Sequence, residues 1–235
     1  MTDTVRPKAQ LVAADLRQVF GQRLRSVVAY GPQLDGHADA TLTCLALVTT
    51  LTVEDLEACA KRAAAWRRED IATPLILPED EFLRSLDAFP LEYGEIIRAH
   101  RNIYGDDPFT DVTITRDDLR RACETQVKSH LVHLREGFIE AEGKPAAIAD
   151  LVAASAPAFA ALLRNVARLS GVDISERTEA TLQGARAAQL PDGIVTQILA
   201  LERPTELRST DPARLFPEYV AAVEQLARTV DQWRT

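Results

Sequence analysis

The chain of 235 residues is poor in the residues that staple or metallate a small protein. Cysteine occurs three times, as Cys44, Cys59 and Cys123. No two of them have metal-ligand spacing, and an odd, scattered set makes a poor disulfide framework. Such usage suits a reducing compartment, so a soluble cytoplasmic protein of bacterial type is expected. Basic charge is also short: 27 Lys and Arg against 35 Asp and Glu leave a net charge of −8. Phosphate backbones are bound by basic surface, so a nucleic-acid partner is not expected. The local basic stretch Lys61, Arg62, Arg67 and Arg68 reads as the solvated face of an amphipathic helix. The longest apolar stretch, Ala146 to Leu163, is interrupted by Asp150, Ser155 and Pro157. It falls short of the roughly 20 apolar residues of a membrane span, so no membrane partner is expected. Met1 to Lys8 carry no apolar signal core. Walker loops, nucleophile elbows and zinc-protease motifs are all missing.

What is present is enough for a packed core, with 46% hydrophobic residues in a length that suits one large domain or two small ones. Helical spacing runs from Ala9 to Phe20, and Gly21 stops it. Ser26–Tyr30 and Leu42–Thr50 read as buried strands. Thr52 heads a helix with Glu54 and Asp55 in its first turn and Leu56, Cys59, Ala60, Ala63 and Trp66 facing inward. Thr73–Leu77 reads as a third strand, with short helices over 79–88 and 91–99, and Arg101–Tyr104 as a last short strand. Strands interleaved with helices imply an α/β layer. Beyond Thr115-Arg116-Asp117-Asp118, a start of capping-box type, only helical patterns occur. They cover about 115–142, 146–169 with a break or kink near Pro157, 175–189, 192–202 and 212–233. The expected plan is an α/β domain with a small mixed sheet over residues 1–112, followed by an all-α helical bundle over 113–235.

The first two strands carry the motif of interest. Ser26-Val27-Val28-Ala29-Tyr30 runs into Gly31-Pro32, and after a polar loop comes Thr41-Leu42-Thr43-Cys44-Leu45-Ala46-Leu47-Val48. This layout resembles the core of the nucleotidyltransferase superfamily, in which a strand ends in Gly-Ser or Gly-Gly and the next strand carries Asp-x-Asp. Phe89-Pro90-Leu91-Glu92, Tyr104-Gly105-Asp106-Asp107-Pro108-Phe109 and Leu119 to Glu124, leading to Leu131-Val132-His133-Leu134-Arg135, are similar to a bacterial subgroup whose catalytic motif is degenerate. The resemblance implies an α/β nucleotidyltransferase domain with a C-terminal bundle, ATP or another nucleotide as ligand, and magnesium as cofactor. It also implies a phosphate-approach role for Gly31.

The acids of that motif are missing. Thr41 and Thr43, or Leu42 and Cys44, hold their places, and Pro32 removes one backbone donor from the turn. Two acids at i and i+2 on one strand point to the same face and so reach a pair of metal ions together. Threonine hydroxyls carry no charge for a hard cation. No catalytic residue can therefore be named. Substitute metal ligands would come from Asp35 and Asp39 in the loop, or Glu79 and Asp80 after the third strand. Asp106 and Asp107 also follow a strand end.

The helical half also resembles HEPN-type bundles. Their ribonuclease members set an arginine about five residues before a histidine, and none of His37, His100, His130 and His133 has it. His130 and His133 are spaced to share a metal.

Three readings follow. The first is a nucleotidyltransferase-like protein that has lost catalysis and acts as a nucleotide-binding or protein-interaction module. The second is an active magnesium-dependent transferase with relocated acids. The third is a structural partner, a homodimer or an antitoxin-like companion.

Overall fold

A computed structural model describes residues 5–35, 40–172, 174, 176–201 and 212–233. The chain divides into two compact units, Met1–Thr115 and Arg116–Thr235.

The first unit is built on a four-stranded sheet. Its strands are β1 (Leu24–Tyr30), β2 (Thr43–Val48), β3 (Leu75–Pro78) and β4 (His100–Tyr104). They lie in the order β3-β2-β1-β4. β1 is antiparallel to β2 and β4, and β3 is parallel to β2. Burial on both faces explains why β1 and β2 read as nearly continuous apolar runs rather than as an alternation.

On one face α1 (Val5–Phe20), α2 (Val53–Ala60) and α3 (Ala63–Arg68) cover the sheet. There Val12, Leu16, Val27, Ala29, Leu42, Cys44, Ala46 and Trp66 form one core. The indole N–H of Trp66 donates to Asp15 at 2.8 Å, which satisfies the single polar atom of this fully buried ring. On the other face α4 (Glu79–Arg84), α5 (Pro90–Arg98) and the returning chain at Phe109 cover Val28, Leu45 and Leu47.

The expected single helix after Thr52 is two. Arg62, at the start of α3, donates to the Ala58 carbonyl of α2 and reaches Gln18 and Asp15 on α1, and the chain turns there. α2 buries Asp55 and Cys59, which leaves Leu56, 48% exposed, and Ala60 outward instead of in the core. The entry to α2 is fixed by a reciprocal capping box, with Thr52 and Asp55 each bonding the other's backbone N–H. Arg23 grips the same Asp55 carboxylate through two bonds of 2.6 and 2.7 Å. Held this way, Asp55 ionises well below the usual carboxylate range, at about 2, with the Arg23 bond the main cause.

The second unit is helical. It contains α6 (Arg116–Glu140), α7 (Pro145–Leu169), α8 (Arg177–Ala187), α9 (Asp192–Ala200) and α10 (Pro212–Gln232). Of the break or kink expected near Pro157, the break is not found, since α7 runs through it as one element of 25 residues. By length and apolar composition alone α7 would suffice for a membrane span. In this unit it is the central helix, packed against α6, α8, α9 and α10. Ser175 and Glu202, at the expected ends of two helices, lie outside the described residues.

α7 and α8 approach each other closely at Gly184. A Cβ added at Gly184 would overlap the Leu163 carbonyl oxygen and meet the Ala167 backbone nitrogen at 3.2 Å. These contacts are backbone, so no rotamer change relieves them. Gly184→Ala is therefore expected to destabilise the protein by roughly 1–3 kcal/mol, the range for an overpacked core. Thermal unfolding should register this as a drop of about 3 °C or more.

Candidate functional site

The register of β1 against β2 assembles the site. Tyr30 stands opposite Thr43 and Ala29 opposite Cys44. Leu42 and Cys44 are 0% and 1% exposed within the α1-side core. Burial pushes the Cys44 thiol up to about 12, so it stays protonated. Thr41 and Thr43 alternate to the other face, with Thr41 exposed and Thr43 half-buried. Of the two candidate positions for a metal-binding pair, only the threonines are open.

Gly31 follows β1 with φ +89°, a region that favours glycine. Pro32–Asp35 then form one turn of 3₁₀ helix, closed by the Leu34 N–H donating to the Gly31 carbonyl at 3.0 Å. The Thr43 hydroxyl donates to the Tyr30 carbonyl at 2.6 Å. A Cβ at Gly31 would meet that same hydroxyl oxygen at 2.8 Å. The glycine is thus required by its φ and by Thr43, apart from any phosphate, and the side where its Cβ would point is filled.

The expected substitute acids do not gather here. β2 runs from Thr43, beside Gly31, to Val48, which pairs with Pro78 at the end of β3. Glu79 and Asp80 therefore begin α4 at the opposite end of the sheet, roughly 16 Å away by the rise of a strand. There Glu79 faces Arg25 at 3.7 Å and Asp80 is bonded to Arg84 at 2.8 Å. The parallel direction of β3 is what separates them from Gly31, and sequence patterning does not report strand direction. Asp35 ends the 3₁₀ turn, while Asp39 and His37 lie outside the described residues. Among the described residues, no group of three or more His, Cys, Asp or Glu is placed to hold a metal ion. A pair of magnesium ions wants several oxygen ligands with charge among them. Two threonines, one of them bonded to a backbone carbonyl, do not fit that need.

The Asp107 carboxylate reaches this end of the sheet. His100 pairs with Tyr30 on the far side of β1. After β4 the chain reverses at Gly105 and brings Asp107 back to the His100 ring, 3.2 Å from Nε2. The other ring nitrogen, Nδ1, lies 3.0 Å from the Ile97 carbonyl, and the ring stands edge-on to Phe109. Asp107 is held below the usual carboxylate range, first by the Phe109 backbone N–H and then by His100. Asp107 belongs to a pair of acids visible in the sequence, but no sequence signal couples it to His100. That contact depends on the reversal of the chain.

The histidines of α6 do not share a ligand. His130 is 8% exposed and meets the Tyr219 hydroxyl of α10 at 2.7 Å, while His133 is exposed beside Glu136. Ser155 of α7 donates to the same Tyr219 oxygen at 3.1 Å, and the His130 ring is stacked with Phe159.

No protein-family model matches the sequence, and no curated protein matches it. Among solved structures, the chain is similar to a spectinomycin adenyltransferase, AAD(9) from Enterococcus faecialis, determined with ATP and spectinomycin. The TM-score is 0.59 at 15% identity, over 96% of this chain and 98% of that one. The likeness is one of fold. The chain has a nucleotidyltransferase-like fold, with a small mixed sheet in an α/β domain and a helical part.

Burial lowers the His130 ionisation from 6.5 to about 4, with the neighbouring His133 adding to the effect. The unfolded chain therefore takes up this proton first, and stability falls as pH drops from about 6.5 to about 4. Between pH 7 and pH 5 the loss through this group is on the order of 2 kcal/mol. Denaturant unfolding of the wild type should show that loss, and His130→Phe should lack most of it. Asp55 and Glu124, held at about 2, act only at lower pH.

Proposed function

We propose that this nucleotidyltransferase-fold protein has lost metal-dependent transfer and works by binding, taking a nucleotide or related small molecule without magnesium. The observation that carries the reading is the Thr43 hydroxyl. It sits at the level of the missing acids, uncharged, and donates its proton to the Tyr30 carbonyl beside Gly31. A residue engaged in that way supports the fold of the turn and offers no charge to a cation. The neighbour of the same fold was determined with ATP, which favours a nucleotide among small-molecule ligands.

A second reading, adenylyl transfer to a small molecule, draws on the likeness running through 98% of that enzyme's chain. It needs two carboxylates near Thr41 and Thr43. Glu79 and Asp80, at the far end of the sheet, do not supply them.

Titration calorimetry with ATP, in magnesium and then in EDTA, tests the choice. The binding reading expects the same affinity in both. Tightening by tenfold or more with magnesium, worth about 1.4 kcal/mol, would favour transfer. No heat at millimolar ATP would leave an interaction module, a homodimer or an antitoxin-like companion, as the better account.

A further inference from the structure

We infer that the cross-strand row Thr43, Tyr30 and His100 recognises the hydroxyl-bearing ring of a nucleoside, and that the phosphates of a nucleotide are not what this end of the sheet reads. The inference rests on the binding function proposed above and names the part of the ligand that the site takes.

The three residues share one level and one face. Tyr30 pairs with Thr43 on one side and with His100 on the other. One step further in, that face is sealed, with Val28 at 1%, Leu45 at 0% and Leu47 at 2% exposure. In the row itself all three side chains are only half-buried. The sheet thus passes from closed apolar core to a partly open polar row at the end where Gly31 turns the chain.

The chemistry of the row suits hydroxyl and amine hydrogens. Thr43 has given its only hydrogen to the Tyr30 carbonyl, so its oxygen can accept from a ligand. The Tyr30 phenol has no hydrogen-bond partner among the described residues, although half-buried tyrosine hydroxyls ordinarily find one. His100 is pinned by Ile97 and Phe109 and carries the Asp107 carboxylate beside it. The Thr43 oxygen and the Asp107 carboxylate pair with O–H and N–H groups and repel phosphate, while the Tyr30 phenol can donate or accept at its hydroxyl and offers a ring face for stacking. Arg101 pairs with Ala29, whose side chain lies in the α1-side core, so its guanidinium belongs to the opposite face. Arg98 is ion-paired with Glu95. Beside Gly31, on the side where a Cβ would point, stands the Thr43 hydroxyl oxygen rather than a donor or a cation.

Calorimetry with adenosine, ATP and inorganic triphosphate separates ring from phosphate. The expected result is heat from adenosine and ATP with similar affinity, and none from triphosphate. Tyr30→Phe keeps the ring and its packing and removes only the hydroxyl. It should weaken adenosine by about fivefold, the loss of one hydrogen bond. Triphosphate binding as tightly as ATP, or adenosine binding unchanged in Tyr30→Phe, overturns the inference. ATP binding with adenosine silent overturns the row and leaves the binding function standing. Adenosine binding that responds to Tyr30→Phe while ATP is silent upholds the row and overturns only the expectation that ATP binds with similar affinity. Silence from all three overturns both.

Discussion

The register between β1 and β2 is the constraint on which the site depends. Pairing Tyr30 with Thr43 sends Leu42 and Cys44 into one core and turns Thr41 and Thr43 to the other face. A slip of one residue would exchange those faces, placing two hydroxyls in apolar surroundings and a leucine and a thiol at the open end. Burial on both sides of the sheet forbids the exchange. The same pairing brings the Thr43 oxygen against Gly31 and sets His100 level with Tyr30. Thr41, Thr43 and His100 are therefore held in place by the fold itself.

Retention of a glycine after the first strand would ordinarily suggest a surviving phosphate site. Here it has a local cause. With φ at +89° and a threonine hydroxyl within contact of any added Cβ, position 31 admits glycine whether or not a phosphate ever approaches. The fold is nucleotidyltransferase-like, and the groups at these strand ends are an uncharged hydroxyl, a phenol and a histidine–carboxylate pair. The functional proposals follow from that set, which suits a neutral ring better than a metal-bound triphosphate.

Much of the architecture is legible in the sequence because its cause is local. The apolar runs at 26–30 and 42–48, the Thr52 cap with its acid three residues on, and the long helical stripes all follow from burial and capping. The misreadings have non-local causes. Arg62 is drawn to Asp15 and Gln18 across 44 and more positions, and so one helix becomes two. Glu79 and Asp80 look like neighbours of the site until the parallel direction of β3 puts them at its far end. His130 reads as a residue flanking the α6 stripe, and the Tyr219 hydroxyl, 89 positions away, makes it part of the core. Nothing local marks His100 and Asp107 as a pair, because the turn at Gly105 creates their contact.

The central claim is that the Gly31–Thr43 end of the sheet holds no divalent metal, and paramagnetic broadening tests it most directly. Manganese(II) would be titrated in substoichiometric steps into ¹⁵N-labelled protein without nucleotide, following the backbone amides of Gly31, Thr41 and Thr43. The account predicts that these signals keep the intensity of amides across the rest of the sheet. Their selective loss at low manganese would place a metal beside them and contradict it.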